Sequence, residues 1–110
     1  MHNPATEVPE SSTSYLKVVL RDSLSALVNP FTLHYEIRCL TTNRLIRALT
    51  PWPSPTAKTT IKLTSDDNAL QVPTNARERR SVTVIANMGL DDQLLDEFRY
   101  AVLNSRSHPA

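Results

Sequence analysis

RSVTVIANMGLDDQLLDEFRYAVLN, residues 80–104, is the stretch whose reading decides the fold. In its first part Val82, Val84, Ala86 and Met88 alternate with Ser81, Thr83, Ile85 and Asn87. A period of two sends successive side chains to opposite faces, so a half-buried β-strand is expected. After a short polar connection, Phe98, Tyr100 and Val102 alternate with Glu97, Arg99 and Ala101, giving one apolar face and one mostly wet one. The two runs read as an antiparallel pair. An isolated hairpin is marginal in water, so the rest of the chain must supply its cover.

Working outward, Phe31, Leu33, Tyr35, Ile37 and Cys39 alternate with Thr32, His34, Glu36 and Arg38, a third strand over Phe31 to Leu40. Thr41-Thr42-Asn43 supplies a turn, since Asn tolerates the left-handed conformation, and Arg44 to Thr50 returns as the hairpin partner. Tyr15 to Arg21 is a further strand with Leu16, Val18 and Leu20 on one face, and Val19 suggests that the second face is partly covered. Thr59 to Thr64 is a short strand carrying Ile61 and Leu63 inward. Asp22 to Pro30 reads as a loop with a helical turn, and a long polar connection runs from Ser65 through Pro73 to Arg77 with Leu70 and Val72 tucked under the core.

Pro51-Trp52-Pro53-Ser54-Pro55 cannot sit inside a sheet ladder, because proline lacks the donor and fixes φ, so this segment must cross over an edge. Trp52, the sole tryptophan, either caps the end of the core or stands on the surface as an interface anchor. Six or seven short strands, Pro-rich crossovers and almost no helical pattern are the signature of an all-β, antiparallel two-sheet sandwich. The expected organisation is a flexible arm over residues 1–14, one sandwich domain over 15–104 and a polar tail over 105–110.

With 110 residues, 40% of them hydrophobic, the chain has room for one modest core and no second domain. The formal net charge of +1 argues against a general nucleic-acid binder, which needs a one-signed field. One glycine, Gly89, against eight prolines excludes glycine-rich phosphate cradles. The single cysteine, Cys39, excludes an intramolecular disulfide and reads as a small buried hydrophobe. No apolar run approaches the roughly 18 residues of a membrane span, and MHNPATEVPE lacks the apolar core of a signal peptide. Neither a membrane nor a nucleic-acid partner is expected.

Catalytic groups are few. His34 lies on the polar face of a strand and His2 and His108 in the tails, so no two histidines share a metal-gripping spacing. Asp66-Asp67 and Asp91-Asp92 could offer oxygen ligands to calcium but lack the EF-hand series, and each pair could equally set a turn. No cofactor is expected and the chain does not read as an enzyme. Arg77-Glu78-Arg79-Arg80 is the one concentration of charge. It reads either as a solvated strand start that protects an edge or as a carboxylate clamp on a neighbouring subunit through Arg77, Arg79 and Arg80.

The run from Asn75 to Gln93, followed by Phe98-Arg-Tyr-Ala-Val-Leu-Asn104, resembles the closing hairpin of small immunoglobulin-like or fibronectin-like proteins encoded among tailed-bacteriophage structural genes. Tyr35-Glu36-Ile37 and Trp52 ahead of the Pro-containing crossover are similar to that pattern too, and the resemblance covers roughly residues 31 to 104. It implies an immunoglobulin-like sandwich and a non-enzymatic virion component made in the host cytoplasm, either a capsid decoration protein or a neck or tail attachment protein. Its partners would be other virion proteins and further copies of itself, met through Trp52, Pro53, Tyr15 and the arginines. The alternative is an adhesion or carbohydrate-binding module with Trp52 and Tyr15 as stacking residues. A metal-dependent enzyme built on the scattered Asp and His residues is a third.

Overall fold

Seven strands carry the chain in a computed structural model that describes residues 7–22, 24–53 and 55–104. They are β1 (Glu7–Pro9), β2 (Ser14–Val19), β3 (Leu33–Cys39), β4 (Arg44–Pro51), β5 (Lys58–Leu63), β6 (Arg77–Ala86) and β7 (Leu94–Leu103), with no helix among the described residues. One sheet runs β1-β7-β6-β3-β4 and the other is the pair β2-β5. Their inner faces share one core: Val18, Ile61 and Leu63 from the small sheet meet Leu33, Ile37, Val82, Val84 and Val102 from the large one. Each such aliphatic side chain contributes about 1.5 to 3 kcal/mol on full burial.

The alternation read in the sequence accounts for most of this. Val82, Val84 and Ala86 are buried on β6, and Phe98, Tyr100 and Val102 on β7, which pairs antiparallel with β6 over ten residues. Leu33, Tyr35, Ile37 and Cys39 form the buried face of β3. Cys39 is fully buried. Thr41-Thr42-Asn43 turns with Asn43 at φ 58°.

Several expectations need correction. The large sheet is mixed rather than antiparallel, because β1 runs parallel to β7 in the register Glu7 to Ala101, Val8 to Val102 and Pro9 to Leu103. That strand falls within the residues expected to be a flexible arm. It docks because Val8 enters the core cluster, and with one apolar residue in three it is too short to show a period. Residues 1–6 of the arm and the tail 105–110 lie outside the described residues. Phe31 is exposed, not inward, since β3 begins only at Leu33. Met88 is exposed because Asn87, at φ 55°, ends β6 and breaks the alternation. Val19 is exposed, so no described residue covers the outer face of β2 there. Asp22 to Pro30 holds a small hairpin rather than a helical turn, closed by the bridge of Arg21 to Leu27.

Strand β4 is an edge. Its register against β3 shifts between Tyr35 and Ile37 and again between Ile37 and Arg38. Such bulges twist an edge away from flat pairing with another chain. From Pro51 the chain leaves the large sheet, with the Trp52 N–H donating to the Leu33 carbonyl, and reaches β5 in the small one.

Candidate functional site

Three connections meet at one end of the molecule, because the register aligns Leu33 with Ala86, Ala86 with Leu94, and His34 with Pro51. They are the 20–32 loop, the 52–57 crossover and the 87–93 loop. Asn87 ties two of them together. Its side-chain oxygen accepts the Phe31 N–H at 2.6 Å, and its own N–H donates to the Thr32 carbonyl at 2.9 Å. Asn29 ties the third, its side-chain oxygen accepting the Ala57 N–H at 2.9 Å. Within the 20–32 loop the Asp22 carboxylate accepts the Leu24 and Ala26 N–H groups, and the Arg21 guanidinium donates to the Ser25 carbonyl. Within the 87–93 loop the Gly89 N–H donates to the Gln93 side chain, with Gly89 at φ 81° where a side chain would be strained.

These bonded loops hold several large apolar side chains in solvent. Leu24 is 86% exposed and Phe31 83%, with Leu27, Met88 and Leu90 exposed beside them in the same loops. Grouped exposed apolar side chains mark a surface for another molecule. Asp91 and Asp92 stand exposed next to Leu90. Sequence reading assigned Phe31 and Met88 to the core, whereas Leu90 already stood out as an apolar residue at a turn where a polar one would be comfortable. The available signal was Asn-Pro at 29–30, which disfavours regular structure just before Phe31.

Of the residues singled out from sequence, Trp52 lies at this loop end, half-buried against the core cluster and edge-to-face with Tyr35 at 6.1 Å between ring centroids. Pro53 is exposed beside it. Tyr15 is exposed on β2 opposite Lys62, toward the far end, beside a cleft of about 70 Å³ lined by Leu16, Leu63 and Phe98. Trp52 and Tyr15 are therefore not brought into one stacking platform. Arg77 and Arg79 are exposed on the outer face of the large sheet, where Arg99 of β7 joins them around a groove of about 170 Å³ that Ala101 and Leu40 also line. Arg77 pairs with Glu7 at 3.1 Å.

Arg80 does not belong to that surface. Continuing the period of two back from Val84 and Val82 places Arg80 and Glu78 on the buried face, and both are fully enclosed. The run is thus neither a wholly solvated strand start nor a triple clamp. Arg80 donates to the Asp67 and Ala69 carbonyls at 2.6 and 2.7 Å and to the Glu78 carboxylate at 2.7 Å. Glu78 also accepts the Gln71 and Val72 N–H groups and the Asn75 amide. Burial by itself would raise the Glu78 pKa, but these donors together outweigh it and hold the carboxyl below its ordinary range. The 64–76 connection is in effect wrapped around this ion pair. Asp67 accepts the Thr64 N–H and the Arg47 guanidinium, and Asn68 accepts the Tyr100 hydroxyl at 2.7 Å. Burial pushes the Tyr100 phenol up to about 12.

Among the described residues no group of three or more His, Cys, Asp or Glu is placed to hold a metal ion, and no helix is long and apolar enough to cross a membrane. Asp66 and Asp67 are separated by burial, the first exposed and the second enclosed with its oxygens engaged. Comparison with protein-family models, with curated proteins and with solved structures finds no match to this chain.

Proposed function

We propose that this chain is an immunoglobulin-like binding module that acts by gripping other proteins through its loop end, as a non-enzymatic component of a tailed-phage particle. The immunoglobulin-like reading draws on strand order. With β1 set aside as an added strand parallel to β7, and taking β2 as B, β3 as C, β4 as C′, β5 as E, β6 as F and β7 as G, the order C′-C-F-G and B-E supports a variable-type reading that lacks a D strand among the described residues. The observation that carries the binding role is the exposure of Leu24 and Phe31 on loops fastened by their own hydrogen bonds. A loop backbone already held by hydrogen bonds has less freedom left to lose on docking, which favours binding. The particle setting draws on the resemblance of residues 31 to 104, and the partner would be a capsid lattice or a neck or tail ring. A fold does not dictate a task, so the site carries the argument.

The test is copurification with intact particles at a stoichiometry matching a symmetric site. Wild-type chain should bind particles stripped of it, and Leu24→Ser with Phe31→Ser should not. Recovery only in the soluble lysate of infected cells would overturn the particle setting, and undiminished binding by the double variant would overturn the loop end. A carbohydrate-binding role gains nothing from the separation of Tyr15 and Trp52. A glycan array with a signal lost in Trp52→Ala would revive it.

A further inference from the structure

The outer face of the large sheet is banded across its strands. Pairing aligns Leu95, Ile85 and His34 in one row, Glu97, Thr83 and Glu36 in the next, and Arg99, Ser81 and Arg38 in the third. A fourth row holds Ala101 and Arg79, with Leu40 beside them through its N–H bond to the Arg79 carbonyl and Glu7 of β1 on the other side of Ala101, paired with Arg77. Read along β3, β6 and β7, the face runs from a mainly apolar row through an acidic and a basic one to a groove, with Leu45 of β4 beside Arg38. Within the chain Arg99 reaches Glu97 at 3.2 Å and Arg38 lies 4.0 Å from Glu36, yet these four side chains stay 34% to 62% exposed. Each keeps donors or lone pairs for something outside the chain.

We propose that this face binds the same face of a second copy of the chain, about a twofold axis running across the sheet between the acidic and basic rows. Rotation about that axis reverses strand direction and exchanges the two rows. Glu97 then lies over the partner's Arg99 and Glu36 over the partner's Arg38, each contact reciprocated. The same operation sets Leu95, 66% exposed, over Ala101 of the partner subunit, inside the groove of about 170 Å³ between its arginines. Projection meets recess without any further adjustment of register. Such self-complementarity is what a closed, isologous contact requires. An axis parallel to the strands would instead stack acid on acid and base on base, so the charges select one arrangement.

Three strands about 4.8 Å apart and four rows about 6.8 Å apart span roughly 10 by 20 Å, to which the edge strands β1 and β4 add margins. That is small beside the roughly 800 Å² per partner of a standard interface, so the contact is reversible and weakens in salt. It uses none of the loop-end residues. It therefore does not rest on the proposed role, and either can fail without the other.

Sedimentation equilibrium of the full chain over a concentration series tests the contact. A monomer to dimer equilibrium is expected, shifted toward monomer by added salt. Glu36→Arg with Glu97→Arg should be monomeric, and so should Arg38→Glu with Arg99→Glu. Mixed together, the two folded monomers should form a heterodimer, and one chain carrying all four exchanges should recover self-association. Leu95→Arg should abolish the dimer while leaving the circular dichroism spectrum unchanged. A monomer at the highest soluble concentration in low salt would overturn the proposal. So would a dimer that survives both charge exchanges, or a mixture that fails to associate although each component is folded.

Discussion

The two ends of this sandwich use one device for opposite purposes. At each, a single side-chain acceptor on or just after β6 gathers backbone N–H groups from a loop: Glu78 collects Gln71 and Val72, and Asn87 collects Phe31 and Thr32. At the far end the acceptor is charged and its loop closes over it, so Leu70 packs on the core and Arg80 is enclosed. At the loop end the acceptor is neutral, and the chain it holds turns Phe31 outward. Saturating a buried charge avoids the penalty of leaving it unpaired and ties the loop down, whereas holding an apolar group in water yields a surface. The contrast separates where the fold is fastened from where it meets other molecules.

The sharpest way to break that contrast is at the fastened end. Arg80→Met leaves the Glu78 carboxylate buried without its counter-charge and should cost about 3 to 5 kcal/mol in urea unfolding. Combining it with Glu78→Gln should recover part of the loss. A cost below about 1 kcal/mol for the single change would mean the pair behaves as an exposed one and the comparison fails.

Acid should act on the same end. A carboxyl depressed in the folded state contributes stability that is complete above its unfolded pKa, near 4.5, and is lost as pH falls through the lower folded value. Stability should therefore drop below about pH 4.5, with a shallower slope in Glu78→Gln. Tyr100 gives the opposite limb. Its pKa is raised by burial, so its contribution is complete below 10 and disappears as pH climbs to about 12. Thermal melts across both limbs, in wild type and Tyr100→Phe, measure this.

Asn87→Ala should cost about 1 to 3 kcal/mol, through unpaired N–H groups and a left-handed backbone that alanine resists. Asn87→Gly relieves only the backbone part, so the difference between the two variants isolates the strain. Both should weaken particle binding by loosening Phe31. The smallest effect on stability belongs to Phe31→Ser, within about 0.5 kcal/mol of wild type, with binding reduced all the same.

Strands β3, β6 and β7 were legible because inward and outward residues differ in polarity along their length. Where that link is broken, reading by composition fails. Glu78 and Arg80 lie on the buried face by register, yet four charged residues in a row look solvated until the 64–76 connection is known to supply acceptors and donors. That supply is nonlocal, so it has no trace in the run itself. Phe31 is the converse, an apolar residue in phase with β3 but ahead of its first ladder position, held outside by an asparagine 56 residues away. The arginine groove was half legible. Arg77 and Arg79 share a face by spacing alone, whereas Arg99 joins them only through the pairing of β6 with β7.

Cys39 turns the fastened end into its own reporter. It is the chain's single thiol, enclosed, with its sulfur 3.8 Å from the Glu78 carboxylate. A reagent that alkylates sulfhydryls can reach it only when the surrounding packing opens, so the rate of modification under native conditions counts those openings. That clock needs no engineered label, and a substitution confined to Leu24 or Phe31 should leave its ticking undisturbed.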